Sequence, residues 1–160
     1  MSASVRPRRS VLYMPGANTR ALEKARTLPA DALIFDLEDA VAPDAKEAAR
    51  ANVVAAAQSK GYGKREIVIR CNGLATSWGK ADIAAIAKSG ADAVLVPKVE
   101  SAAEVANVVA LLDAAGAPKS MAVWAMMETP KGILRADEIA GSHPRLTLFV
   151  MGTNDLVKDM

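Results

Sequence analysis

Two carboxylates carry the most chemistry in this chain. Glu128 stands directly after the apolar run Met121–Met127, and Asp155 stands just past Leu146–Met151. Oxygen ligands without an accompanying His or Cys suit Mg²⁺, which takes few carboxylates and completes its sphere with water and substrate. The plainer alternative is helix capping, by Glu128 before Pro130 and by Asp155 before a further helix. Arg70 offers a planar fork matched to a carboxylate, with Asn72 beside it as a neutral hydrogen-bonding group. Its competing role is a structural ion pair with Asp36 or Glu38. Lys98 could act as a Schiff-base nucleophile or as the salt-bridge partner of a nearby carboxylate. Pro15-Gly16 with Asn18 makes a tight turn into a helix start, where an anion could bind. His143, next to a proline, reads as solvated, and Cys71, Trp124, Met126 and Met127 read as core. Arg6, Arg8 and Arg9 read as a solvated tail, or more sharply as a contact for a phosphorylated substrate.

These residues need a frame. Apolar runs rich in Val, Ile, Leu and Met predict strands at Val11–Met14, Ala32–Asp36, Ile67–Arg70, Ala93–Val96, Met121–Met127 and Leu146–Met151. They recur about every 27 residues, the length of a strand, a helix of three turns and two short loops. Unbroken apolar strands separated by helices indicate a parallel sheet buried on both faces. Asp44 with Glu47 and Ser101 with Glu104 have capping-box spacing. Thr129-Pro130 places a capping hydroxyl before a first-turn proline, and Gly90, Gly116 and Gly141 fall where helices should end. Each strand delivers its polar residues at its C-terminal end: Glu38 and Asp39, Arg70 and Asn72, Lys98, Glu128, then Asp155. Parallel strands bring those ends to one rim, as in a (β/α) barrel or a doubly wound sheet. Alternation puts Leu33, Phe35 and Leu37 on one face of the second strand, and Ile34, Asp36 and Glu38 on the other. A buried Asp36 must be paired, with Arg70 or Lys98 as the available partners.

Composition narrows the class. The chain has 160 residues, 51% hydrophobic and 24% charged, with a formal net charge of +2. That is an ordinary globular balance, neither disordered nor basic enough for a nucleic-acid binder. One cysteine excludes a disulfide framework. No apolar run reaches the ~18 residues of a membrane span, and no signal-like stretch follows the basic start, so the expected compartment is the cytoplasm. A complete barrel takes ~250 residues. The expectation is therefore a basic tail over residues 1–9 and a partial barrel over 10–160, lacking its C-terminal portion.

Several segments have a familiar order. Arg9-Ser-Val-Leu-Tyr-Met-Pro-Gly16 and Ala30-Asp-Ala-Leu-Ile-Phe-Asp-Leu-Glu-Asp-Ala-Val-Ala-Pro43, continued by Lys46 and Ala49-Arg50, come first. Val68-Ile-Arg70-Cys-Asn72-Gly, Pro97-Lys-Val-Glu100, Glu128-Thr-Pro-Lys-Gly132 and Gly152-Thr-Asn-Asp155-Leu follow. Together they resemble the HpcH/HpaI aldolase and citrate lyase superfamily, in particular its citrate lyase beta-subunit-like CoA-ester lyases.

The resemblance implies an α/β protein with a TIM (β/α)8 barrel, of which this chain holds about the first six strands. It implies a Mg²⁺-dependent carbon–carbon lyase acting on a citryl, malyl or citramalyl thioester. Glu128 and Asp155 would hold the metal, with Glu38, Asp39 and Lys98 one layer out from it. Arg70 and Glu128 would be the catalytic pair, Arg70 holding the carboxylate of the 2-oxo acid. Asn72, Tyr13, Arg20 and Lys24 would contact the substrate and its carrier. That carrier would be CoA or an acyl-carrier protein, and the assembly a homo-oligomer, a trimer in the resemblance. Neither nucleic acid nor membrane is an expected partner. Two other readings stay open: a metal-dependent aldolase on free 4-hydroxy-2-oxo acids, and a non-catalytic barrel fragment.

Overall fold

A computed structural model describes residues 6–160. Six strands form one parallel sheet in the order β1-β2-β3-β4-β5-β6. They are β1 Val11–Pro15, β2 Ala32–Asp36, β3 Glu66–Arg70, β4 Ala93–Val96, β5 Ala122–Met127 and β6 Leu146–Met151. All six expected strands are present, each boundary within one residue. A doubly wound sheet reverses its strand order partway; this one never does, so the barrel-type arrangement is the one realised. The helices are α1 Thr19–Lys24, α2 Lys46–Gln58, α3 Gly79–Ile86, α4 Ala102–Ala114, α5 Pro130–Leu134, α6 Ala136–Ala140 and α7 Thr153–Asp159.

The sheet curls. Flat neighbours lie about 4.8 Å apart, which would separate β1 from β5 by ~19 Å. Instead Tyr13 Oη on β1 sits 3.8 Å from Met126 Sδ on β5. Alternation along the strands then gives two apolar layers. Leu33, Phe35 and Leu37 pack outward with helix residues such as Val53, Ile83 and Val105. Ala32, Ile34, Val68, Leu95, Trp124 and Met126 pack on the concave side. Among the described residues β1 and β6 each pair along one edge only.

Of the three helix starts that the sequence marks with capping signals, two are capped as expected and one is not. Ser101 accepts from the Glu104 N–H, and Thr129 accepts from the Gly132 N–H at 3.0 Å. Gly116 follows the C-cap of α4 at positive φ, Gly90 closes the turn after α3 at positive φ, and Gly141 is the C-cap of α6 at negative φ. Asp44 does not cap: it lies inside a 3₁₀ turn, Pro43–Ala45, and α2 starts after Ala45 without a side-chain cap. The next residue, Lys46, explains the shift. It is buried, and its ammonium donates to the carbonyls of Leu37 and Glu38 at 2.7 and 2.6 Å.

At the opposite, N-terminal face of the sheet the solvated-tail expectation needs correction. Arg9 pairs with Asp31 ahead of β2, Arg8 with Glu66 at the start of β3, and Arg6 with Asp92 ahead of β4. Arg8 binds Glu66 through both Nε (2.6 Å) and Nη2 (2.9 Å), and its guanidinium lies 5.3 Å from the centre of the Trp124 ring. The strap runs under three strands in turn, far from the polar rim. No phosphorylated substrate at that rim could meet it. No helix among the described residues is long and apolar enough to cross a membrane.

Candidate active site at the carboxyl ends of the strands

The C-terminal ends of the strands surround a cavity of about 510 Å³, lined by Tyr13, Arg70, Met126, Glu128, Asp155 and Lys158 among others. Glu128 is buried at the end of β5. Thr129 caps α5, so the capping alternative for Glu128 does not hold. Its Oε1 instead accepts the Lys98 N–H at 2.8 Å. Oε2 lies against Gly152, where any Cβ would collide with it, so glycine at the end of β6 makes the room this carboxylate occupies. Burial pushes the Glu128 carboxyl above its ordinary value; the Lys98 N–H opposes this and the Asp155 charge adds to it.

Asp155 is not a cap either: it lies in the first turn of α7, whose N-cap is Gly152. Its Oδ1 accepts from Lys158 at 3.1 Å, and its Oδ2 lies 3.6 Å from the Lys98 ammonium. The Lys158 hydrogen bond, with help from Lys98, holds the Asp155 carboxyl below its usual range despite partial burial. Burial works against the charge of Lys98, but Asp155 and Glu128 outweigh it and raise its pKa. A Schiff-base lysine needs a free amine, so the salt-bridge role is the one this geometry favours.

Among the described residues no three His, Cys, Asp or Glu side chains converge as a metal cage. Two carboxylates on one cavity nevertheless fit Mg²⁺, a hard cation that keeps several waters and takes one or two carboxylates plus substrate oxygens. They do not fit Zn²⁺, whose sites draw on His and Cys.

Arg70 closes β3 and is nearly enclosed. Nε and Nη2 donate to the two oxygens of Asp36, both at 2.6 Å. Nη1 lies 3.0 Å from Glu38 and 3.2 Å from Asp39, and also reaches Met126 Sδ. The Tyr13 ring centre lies 5.1 Å from the guanidinium carbon. Burial opposes the charge, but Asp36 and then Glu38 and Asp39 raise the pKa above its ordinary value. The expected structural ion pair is thus present, and Arg70 also lines the cavity. Asp36 takes Arg70 and not Lys98, and two more bonds come to it from the N–H groups of Glu38 and Ala40. Glu38 pays for its position with a carboxyl that burial pushes up to about 7, against the pull of Arg70.

Three expected substrate contacts lie elsewhere. Asn72 is buried, and both its N–H and its Nδ2 donate to Asp82 on α3, at 2.9 and 2.7 Å. Asp82 is held in turn by Arg50 at 2.6 Å. Arg20 and Lys24 are exposed along α1 and do not line the cavity. The anion turn at Pro15-Gly16 is also committed: the Gly16 N–H donates to the Asp36 carbonyl, and Asn18 caps α1 through Ala21. Conversely, Lys158, which did not stand out in the sequence, and Met126, which the sequence marks only as core, both line the site. The only hint of Lys158 was its place one turn after Asp155.

Comparison with known proteins gives the family and the fold. The family model for HpcH/HpaI aldolase/citrate lyase matches residues 9–160. A (3S)-malyl-CoA thioesterase of Cereibacter sphaeroides is 52% identical over all of this chain and 54% of its own length. Citrate lyase subunit beta of Escherichia coli is 39% identical over 97% of this chain and 53% of its own. The chain therefore spans about half the length of the curated relatives it matches. Among solved structures, the citrate lyase beta subunit of M. tuberculosis, complexed with oxaloacetate and magnesium, superposes with a TM-score of 0.76. It is 29% identical, over 96% of this chain and 62% of that one.

Proposed function

The chain belongs to the HpcH/HpaI aldolase/citrate lyase family, and we propose that it serves the magnesium-dependent cleavage of a β-hydroxyacyl thioester of the malyl, citryl or citramalyl type. The carbon–carbon bond breaks to give an acyl thioester and a 2-oxo acid. The observation that carries this reading is the meeting of Arg70, Glu128 and Asp155 on one cavity. A carboxylate-binding fork thus stands beside two hard oxygen ligands.

Cleavage needs the β-hydroxyl to lose its proton and become the carbonyl of the oxo acid. The electron pair of the broken bond passes to the thioester as an enolate, which then takes up a proton. Magnesium held by Glu128 and Asp155 would supply Lewis-acid stabilisation of the charge that builds on the hydroxyl oxygen. Arg70 binds the acid end of the substrate from the Nη1 edge, displacing Glu38 or Asp39 from it, because Asp36 occupies the other edge. Tyr13 and Met126 wall that edge, so the acid end is oriented as well as neutralised. In the same reading the carrier is CoA or an acyl-carrier protein, and the protein works as a homo-oligomer.

The 52% identity to a malyl-CoA thioesterase supports a second reading, hydrolysis of the thioester itself. The products separate the two. Malyl-CoA incubated with protein and Mg²⁺ gives glyoxylate and acetyl-CoA by cleavage, and malate with free CoA by hydrolysis. Glyoxylate without free thiol is the expected result; free thiol with malate overturns the lyase reading.

A further inference from the structure

Lys98 leaves β4 in a left-handed backbone conformation, φ 52°. Lys60 shares that value, but it follows the end of α2, where a left-handed residue is ordinary. Lys98 follows a strand, and a residue with a Cβ is held in this region only when its surroundings demand it. Here the turn aims the Lys98 N–H at Glu128 Oε1, 2.8 Å away, and the Val99 N–H at the Met126 carbonyl, 3.3 Å away. The ammonium of the same residue lies 3.6 Å from Asp155 Oδ2. One residue therefore touches both candidate cation ligands, through two different groups.

We propose that Lys98 is a positioning residue with two opposed effects on the cation site. Its left-handed main chain fixes Glu128 by one oxygen, while its ammonium competes for the charge of Asp155 against an entering divalent cation. The inference rests on reading Glu128 and Asp155 as magnesium ligands. Fixing Oε1 leaves Oε2, lodged against Gly152, as the oxygen available to a cation. Asp155 keeps Lys158 on Oδ1, so losing the Lys98 ammonium does not leave it unpaired.

The two effects separate by substitution at this one position. Lys98→Gly and Lys98→Asn accept the left-handed backbone and drop the ammonium. Lys98→Val drops the ammonium and resists positive φ. Mg²⁺ alone is titrated by calorimetry into the wild-type chain, the three variants and Glu128→Gln. Gly and Asn should bind Mg²⁺ about threefold tighter or more, since a cation beside the site is gone. Val should bind about tenfold weaker, since the grip on Glu128 is lost. A merely structural Lys98 would shift melting temperatures without separating the affinities. Wild-type affinity in Gly and Asn, with binding abolished in Glu128→Gln, overturns this inference and leaves the magnesium site standing. That comparison decides even if Lys98→Val does not fold. No saturable Mg²⁺ binding by the wild-type chain overturns both.

Discussion

Arg70 and Asp36 face each other across adjacent strands in register and meet through two parallel hydrogen bonds of 2.6 Å. Both side chains are almost wholly buried. The bidentate pair fixes the plane of the guanidinium and so decides which edge a ligand can reach. Asp36→Ala should therefore cost about 3–5 kcal/mol in urea unfolding, because it strands a buried cation. A loss below 1 kcal/mol would show that Glu38 and Asp39 suffice to hold Arg70.

Arg70→Lys keeps the charge but not the fork. It should raise KM for the thioester or lower turnover about tenfold or more. Steady-state kinetics with malyl-CoA tests this, and unchanged constants would confine Arg70 to a structural role.

Glu38 gives a pH dependence with a definite sign. Its folded pKa, about 7, lies above the ordinary carboxyl value, so the folded state binds its proton more tightly than the unfolded state does. Its contribution to stability is complete below the unfolded pKa and is lost as pH rises through about 7. Glu38→Gln should flatten the decline in melting temperature between pH 4.5 and 7. A variant that melts in parallel with the wild type across that range would contradict it.

The N-terminal strap should be unequal along its length. Arg8 is bidentate, stacked on Trp124, and paired with a buried Glu66. Arg9 makes comparable bonds to Asp31, but its side chain is 79% exposed. Arg8→Ala should cost about 2 kcal/mol or more, by stranding Glu66 and uncovering the ring. Arg9→Ala should cost less than about 1 kcal/mol. Chemical denaturation of the two variants compares them directly.

The outer strands predict behaviour in solution. β1 and β6 pair along one edge, and Val11, Leu12, Tyr13 and Met151 expose apolar surface. Unpaired edges recruit other strands. The 160-residue polypeptide by itself should elute from size-exclusion chromatography as oligomer or aggregate. A monodisperse monomer would be the contrary result.

The strand positions are legible in the sequence because a parallel sheet covered on both faces demands unbroken apolar runs, as in Ala93–Val96. Alternation in Leu33–Glu38 likewise sorts the two faces, and strand ends sharing one direction bring Arg70, Glu128 and Asp155 to one rim. Those are local or periodic requirements. Contacts between residues distant in the chain are not. Nothing in the spacing says that Asp82 captures Asn72, that Arg8 crosses beneath the sheet to Glu66 and Trp124, or that Asp36 takes Arg70 in preference to Lys98. Each depends on tertiary packing: how α3 lies against the end of β3, how the N-terminal strap crosses beneath the sheet, and which partner on a neighbouring strand reaches a buried charge. The left-handed turn at Lys98 belongs to the same class. A lysine carries no local signal for positive φ, and only the position of Glu128 on the next strand gives the main chain a reason to adopt it.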